Sequence, residues 1–205
     1  MSEWVAWVQE LRSIAAAGLA YSESPYDRDR YTRLMTISAD MTAALRDAEP
    51  EVVRLLFHAQ DGYATPKLDV RTAVFDAAGR VLMVRERVDG AWSLPGGWAD
   101  VGESLSEGAV REVREESGYE VVIDRLLGLY ERERWGHPPL PFFTLKAVLA
   151  ARVVGGSPAT SSETDDVGWF GRDELPPLSA GRNSAPLMAR VFAHADDPSL
   201  PPDVD

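Results

Sequence analysis

Four glutamates, Glu103, Glu112, Glu115 and Glu116, fall within fourteen residues, and three of them within five. At about 100° per residue, Glu112 and Glu116 lie roughly 40° apart on a helix and Glu115 about 60° to the other side. Ala109, Val110, Val113 and Ser117 fill the next sector as a core-facing stripe. Ser104 with Glu107 three residues on is a capping box, and Gly118 suits the C′ position. The spacing predicts a helix over about 105–117 that holds the acids rigidly. Carboxylates so crowded repel one another unless cations sit among them, and two or three divalent metal ions are the natural candidates.

The chain has no Cys and three His. A thiolate or multi-His site is therefore excluded, and an all-carboxylate set selects Mg²⁺ or Mn²⁺, which bind phosphates alongside protein oxygens. E-x-x-E-E alone reads as a solvated helix face. The glycines and the arginine around it lift the segment above that.

Those residues carry a resemblance. Gly97, Glu103, Arg111, Glu112, Glu115, Glu116 and Gly118 match every fixed position of the Nudix box, G-x5-E-x7-R-E-U-x-E-E-x-G-U, with Val113 and Tyr119 at the hydrophobic positions. The segment AWSLPGG at 91–97 resembles the usual lead-in. The resemblance implies an α+β fold, the Nudix α/β/α sandwich with a mixed sheet, and metal-dependent hydrolysis of nucleoside diphosphate-X compounds. It implies metal ligation by Glu112, Glu115 and Glu116 with the Gly96 carbonyl, Glu103 at the edge of the site, and Arg111 orienting the glutamates. Nudix enzymes commonly supply a further acid from a later loop, here TSSETDD at 160–166. Glu163 is the first choice as general base, then Asp166 and Asp165, with Glu112 or Glu115 as competitors. Arg71, Arg85 and Arg87 are candidate phosphate ligands.

The first 65 residues read as helices that dock on another surface. Trp4, Trp7, Val8, Leu11, Ile14 and Ala15 recur at helical spacing, with Gly18 as a stop. Ser24-Pro25 opens a second helix carrying Tyr31, Leu34, Met35, Ser38, Met41 and Leu45, and Pro50 a third over about 50–58. The stretch resembles the helical N-terminal domain of a Nudix subgroup that acts as homodimers on CDP-choline, UDP-linked compounds or ADP-ribose. That resemblance favours CDP-choline or UDP-linked substrates, with ADP-ribose as the alternative, over a triphosphate sanitiser or a non-catalytic nucleotide sensor.

From Leu68 the pattern turns to strands. Val70–Phe75 and Arg80–Arg87 read as a hairpin, 121–134 and 142–154 as strands around the HPPLP turn at 137–141, and 167–170 as a short strand. Trp135 and His137 stand where a substrate-side loop would be. A glycine-initiated loop over 155–166, a helix near 184–194 and a disordered tail complete the chain. The expected organisation is a helical domain over 1–65, a catalytic domain over 66–195 and a flexible tail over 196–205. A net charge of −12 argues against a nucleic-acid partner. No apolar run is long enough to span a membrane, and a cysteine-free chain suits the cytoplasm.

Overall fold

The computed structural model describes residues 3–59, 62–138, 140 and 142–205. The chain divides into two compact units, residues 1–66 with 139–143, and residues 67–138 with 144–205.

The first unit holds α1 (Glu3–Tyr21), α2 (Pro25–Arg46) and α3 (Pro50–His58). Ser24 caps α2, its hydroxyl accepting from the Asp27 amide. Small residues make the core: Ala15, Ala16, Ala39 and Ala43 pack with Met35, Val53 and Phe57. The stripe expected to be the buried face of α1 is only partly so: Val8 and Ala15 are buried, whereas Trp4, Trp7 and Ile14 are exposed. Alanines let α1 and α2 approach closely, which turns the large side chains outward. Nor does Gly18 stop α1, which runs on to Tyr21. A Cβ at Gly18 would lie 2.4 Å from the Tyr31 ring, so the glycine makes room for packing. None of the described helices is long and apolar enough to cross a membrane.

The second unit contains β1 (Lys67–Val74), β2 (Val81–Glu86), β3 (Trp92–Ser93), α4 (Leu105–Ser117), β4 (Tyr119–Glu131), β5 (Thr144–Gly156), β6 (Thr164–Phe170), α5 (Ala185–Asp196) and β7 (Asp203–Val204). Strands β1-β5-β4-β7 form one mixed sheet, parallel at β1–β5 and β4–β7 and antiparallel at β4–β5. Strands β3-β2-β6 form an antiparallel second sheet. Ala109 and Val113 of α4 pack against Val70, Leu149, Val74 and Leu82. Leu187, Met188, Val191 and Phe192 of α5 pack against Ala73, Val81, Met83 and Val148. Strands thus lie between two helical layers, the expected α/β/α sandwich.

Two readings of the strands change. The hairpin at 70–87 is a sharp turn between sheets, with a bridge at Phe75–Val81, and β1 and β2 pair with β5 and β6 instead. Both strands are buried along most of their length, and an isolated hairpin would leave their faces open to water. Gly155 and Gly156 extend β5 rather than open a loop. Gly156 has φ +79°, and a Cβ there would lie 2.3 Å from the Gly118 carbonyl.

The last residues are ordered, where their composition predicts a disordered tail. Strand β7 pairs with Gly128 and Leu129 of β4. Asp203 accepts from Tyr130 Oη at 2.8 Å, from Arg190 Nε and Nη2 at 2.7 and 2.5 Å, and from His194 Nε2 at 3.0 Å. Arg190 chiefly holds the Asp203 carboxyl well below the usual carboxylate range. Polar residues that look soluble in sequence are here a clip that fastens β4 to α5. Asp203→Asn is expected to cost about 2 kcal/mol, lowering Tm by roughly 4–8 °C at pH 7. Because the folded pKa is depressed, that stability is present above about pH 4 and lost as pH falls below it. A melting series from pH 7 down to pH 3 checks the drop at pH 7 and its shrinkage as pH falls towards the folded pKa.

Candidate active site

The acids are placed by a helix whose two ends are built locally. At the N-terminus of α4, the Glu107 amide donates to Ser104 Oγ at 3.3 Å, and the Ser104 amide to Glu107 Oε2 at 2.8 Å. At the C-terminus Gly118 adopts φ +74° and its amide donates to the Arg114 carbonyl. A Cβ at Gly118 would lie 2.4 Å from the Ser157 carbonyl oxygen. Tyr119, the unusual aromatic at the end of the motif, packs edge-on against Trp169 with ring centroids 5.6 Å apart.

A glycine turn faces the helix. The Val70 amide donates to Gly97 O at 2.8 Å and the Thr72 amide to Pro95 O at 2.9 Å, so residues 95–97 lie along β1. Gly96 has φ +143°, and a Cβ there would meet the Val70 carbonyl at 2.0 Å. Its amide donates to Glu116 Oε2 at 2.8 Å. A Cβ at Gly97 would lie 2.9 Å from Glu112 Oε1. Gly96 therefore lets the turn lie against β1, and Gly97 lets backbone approach the Glu112 carboxylate.

Arg111 gathers the rest. Its guanidinium donates to Glu103 Oε1 and Oε2 at 3.0 Å, to Glu112 Oε1 at 2.9 Å, to Glu115 Oε2 at 3.2 Å and to Asp100 Oδ2 at 3.3 Å. Those carboxylates, Glu103 first, raise its pKa above the ordinary arginine value. Glu116 is outside this set and is 5% exposed. Burial pushes its carboxyl up to about 8, against the opposing pull of Arg71. Burial also raises Glu112. Among the described residues no group of three or more acids or histidines is spaced to hold a metal ion. Arg111 reaches between Glu112 and Glu115, and Glu116 is turned to Gly96. The donor chemistry still fits a divalent cation, since four acids share one arginine and a fifth, Glu116, is buried with the Gly96 amide as its donor.

The three arginines proposed as phosphate ligands are engaged elsewhere. Arg71 is buried, donating to Asp69 Oδ1 at 2.8 Å and to the Leu94 carbonyl at 3.2 Å. Arg87 pairs with Asp165 at 3.2 Å, and Arg85 lies 4.0 Å from Asp166. Glu163 is exposed, just before β6. Its neighbour Thr164 is buried and donates to the Glu116 carbonyl at 2.8 Å, which anchors this acidic loop to the last turn of α4. Trp135 donates to Asp205 at 2.8 Å and His137 is buried. Pro139 and Pro141 of the HPPLP turn lie outside the described residues.

Sequence reasoning passed over Asp69 and Lys146. Lys146 is fully buried and salt-bridged to Asp69, which also holds Arg71. The signal was present, since Asp69 and Arg71 alternate in β1 and Lys146 stands in the apolar run of β5, and charges set in buried strands need partners. The folded pKa of Glu116 lies above its ordinary value, so metal-free protein loses stability as pH rises from about 4.5 through 8. Glu116→Gln is expected to stabilise the chelated protein by on the order of 3 kcal/mol at pH 8 and by nothing at pH 4. Denaturant titrations in chelator at the two pH values measure it.

Residues 2–57 match the family model described as "UDP-X-like, N-terminal oligomerisation domain", and residues 65–191 match the NUDIX domain model. The chain is 41% identical over 191 residues to YjhB of Bacillus subtilis (strain 168), a provisionally named ADP-ribose pyrophosphatase, covering 93% of this chain and 91% of that one. A crystal structure of a UDP-X diphosphatase superposes with a TM-score of 0.64 at 27% identity, covering 100% of this chain and 98% of the other. An ADP-ribose pyrophosphatase from Streptococcus suis 89-1591 superposes with a TM-score of 0.62 at 36% identity, over 69% of this chain and 100% of that one. With a capped glutamate helix, a glycine turn laid against its carboxylates and a matched domain spanning residues 65–191, the chain belongs to the Nudix hydrolases, enzymes that act on phosphoanhydride bonds.

Proposed function

We propose that the chain is a Mg²⁺- or Mn²⁺-dependent diphosphatase that cleaves nucleoside diphosphate-X compounds to a nucleoside monophosphate and X-phosphate, with CDP-choline and UDP-linked compounds as the favoured substrates. The observation that carries it is the complete carboxylate set on α4 behind a UDP-X-like N-terminal unit. ADP-ribose is the second reading, favoured by the 41% identity to YjhB over most of both chains.

Nudix hydrolases use divalent metals as a family. Glu112, Glu115 and Glu116 would hold the ions with the Gly96 carbonyl, and Glu103 would support them from the edge. When bound, the metal polarises the phosphoryl oxygens and activates water for attack. Arg111 keeps Glu112 and Glu115 from splaying apart, and a bound cation would take over its place between them. Glu163 takes the proton of the attacking water, from a loop held in place by Thr164. Arg71 acts from behind the site through its charge, since its guanidinium is committed to Asp69 and Leu94. Arg85 and Arg87 reach phosphate only by leaving Asp166 and Asp165.

Glu163→Gln is expected to lower kcat by about 10²–10⁴-fold and to leave Mn²⁺ affinity unchanged. A loss below tenfold would transfer the proton-accepting role to Glu112 or Glu115. Hydrolysis of CDP-choline, a UDP-sugar and ADP-ribose, followed by release of phosphate from the products with a coupled phosphatase, ranks the substrates.

The N-terminal helices form the homodimer interface. Val52, Leu55 and Leu56 on α3, with Trp4, Trp7 and Ile14 on α1, are exposed apolar side chains in the unit matched to an oligomerisation domain. Leu55→Glu with Leu56→Glu is expected to halve the mass measured by light scattering. A monomeric wild type would refute the interface.

A further inference from the structure

Of the four tryptophans in the second unit, three are packed ring against ring. Trp92 meets Phe170 with centroids 4.7 Å apart, Trp135 meets Tyr130 at 4.8 Å, and Trp169 meets Tyr119 at 5.6 Å. Trp98 instead is 47% exposed. A solitary exposed apolar side chain is ordinary on a protein surface. What sets Trp98 apart is its position.

Trp98 follows the glycine turn directly. It pairs antiparallel with Asp69, and the Ala99 amide donates to the Leu68 carbonyl at 2.9 Å, so its backbone is fixed along β1. One residue before it, Gly97 stands so close to α4 that a Cβ would lie 2.9 Å from Glu112 Oε1. Two residues after it, Asp100 reaches Arg111 at 3.3 Å. The indole is thus carried on a stretch of chain that touches the acid cluster at both ends. Paired residues of two strands project to the same face, and successive residues to opposite faces. Trp98 therefore stands on the face of Asp69, while Gly97 looks towards α4 and puts no side chain between the indole and the acids.

An accessible ring one residue from a phosphate-handling site is a stacking platform. Every nucleobase offers a π-face, and stacking on an aromatic side chain needs no fixed set of hydrogen bonds. A choline ammonium could also lie on an indole, but the buried ions on this face disfavour it. Arg71 and Lys146 share one acid there, Asp69, and two cations against one carboxylate repel a third cation. A neutral base meets no such repulsion.

We propose that Trp98 is a substrate-binding residue whose indole stacks on the nucleobase while the diphosphate lies at the acids of α4. The assignment rests on the nucleoside diphosphate-X reading above.

Two substitutions separate stacking from bulk. Trp98→Leu keeps an apolar side chain and removes the aromatic face, and Trp98→Phe keeps a smaller face. In Mn²⁺, Trp98→Leu is expected to raise KM about tenfold for both CDP-choline and ADP-ribose, with kcat within twofold of wild type, and Trp98→Phe to recover most of the loss. With ribose-5-diphosphocholine, which lacks the base, all three proteins are expected to share one KM. An unchanged KM in Trp98→Leu, or an equal rise on the compound without a base, overturns the proposal. A defect confined to CDP-choline assigns the indole to the ammonium and overturns it as well. If wild type hydrolyses no nucleoside diphosphate-X compound, tryptophan fluorescence titrated with CMP, UMP and AMP decides separately. Quenching seen in wild type and lost in Trp98→Leu then retains Trp98 and overturns the substrate reading, whereas equal signals in the two proteins overturn Trp98.

Discussion

Four carboxylates converging on one guanidinium are the constraint around which the catalytic unit is arranged. Asp100, Glu103, Glu112 and Glu115 all reach Arg111, and Glu116 lies just beyond it in the protein interior. Like charges this close stay together only on a rigid support. The capping box and Gly118 supply that support by fixing both ends of α4. The opposite wall is backbone, because Gly96 carries no Cβ to collide with Val70 of β1 and Gly97 none to stand in the way of Glu112. Each element of the motif removes a particular obstacle to packing negative charge against a sheet.

The buried charges behind the site extend the same logic. Asp69 serves both Arg71 and Lys146, so this pocket of the sheet holds more positive than negative charge. Glu116 and Glu86 are the acids whose fields Arg71 feels beyond Asp69. A deficit of negative charge on one side of the 94–97 turn thus faces an excess on the other. In a chain of net charge −12, this places a cation behind the acids without exposing it to solvent.

Much of the site was legible in the chain. The helix at 105–117, its caps and its acid face follow from spacing alone, because a helix converts sequence separation directly into angle. The three N-terminal helices were legible in extent, through Ser24, Pro25 and Pro50, but not in orientation. Trp4, Trp7 and Ile14 make as good a stripe as Ala15 and Ala16, and only the partner helix decides which face is covered. Strand partners were less legible still. The tight turn after Phe75 suggests a hairpin, yet β1 takes β5, 77 residues away. The acidic C-terminal residues read as solvent-loving until Arg190, His194 and Tyr130 are seen around Asp203.

The sequence by itself therefore determined the chemistry: which acids share a helix face, which metals they suit, and where glycine is required. These are local matters, settled within a few turns of backbone. Only the tertiary structure decided which charges are available. Arg71 is buried, Arg85 and Arg87 face acids across β2 and β6, and His137 is enclosed with one nitrogen unpartnered. Burial and pairing depend on segments distant in the chain, and no local spacing records them.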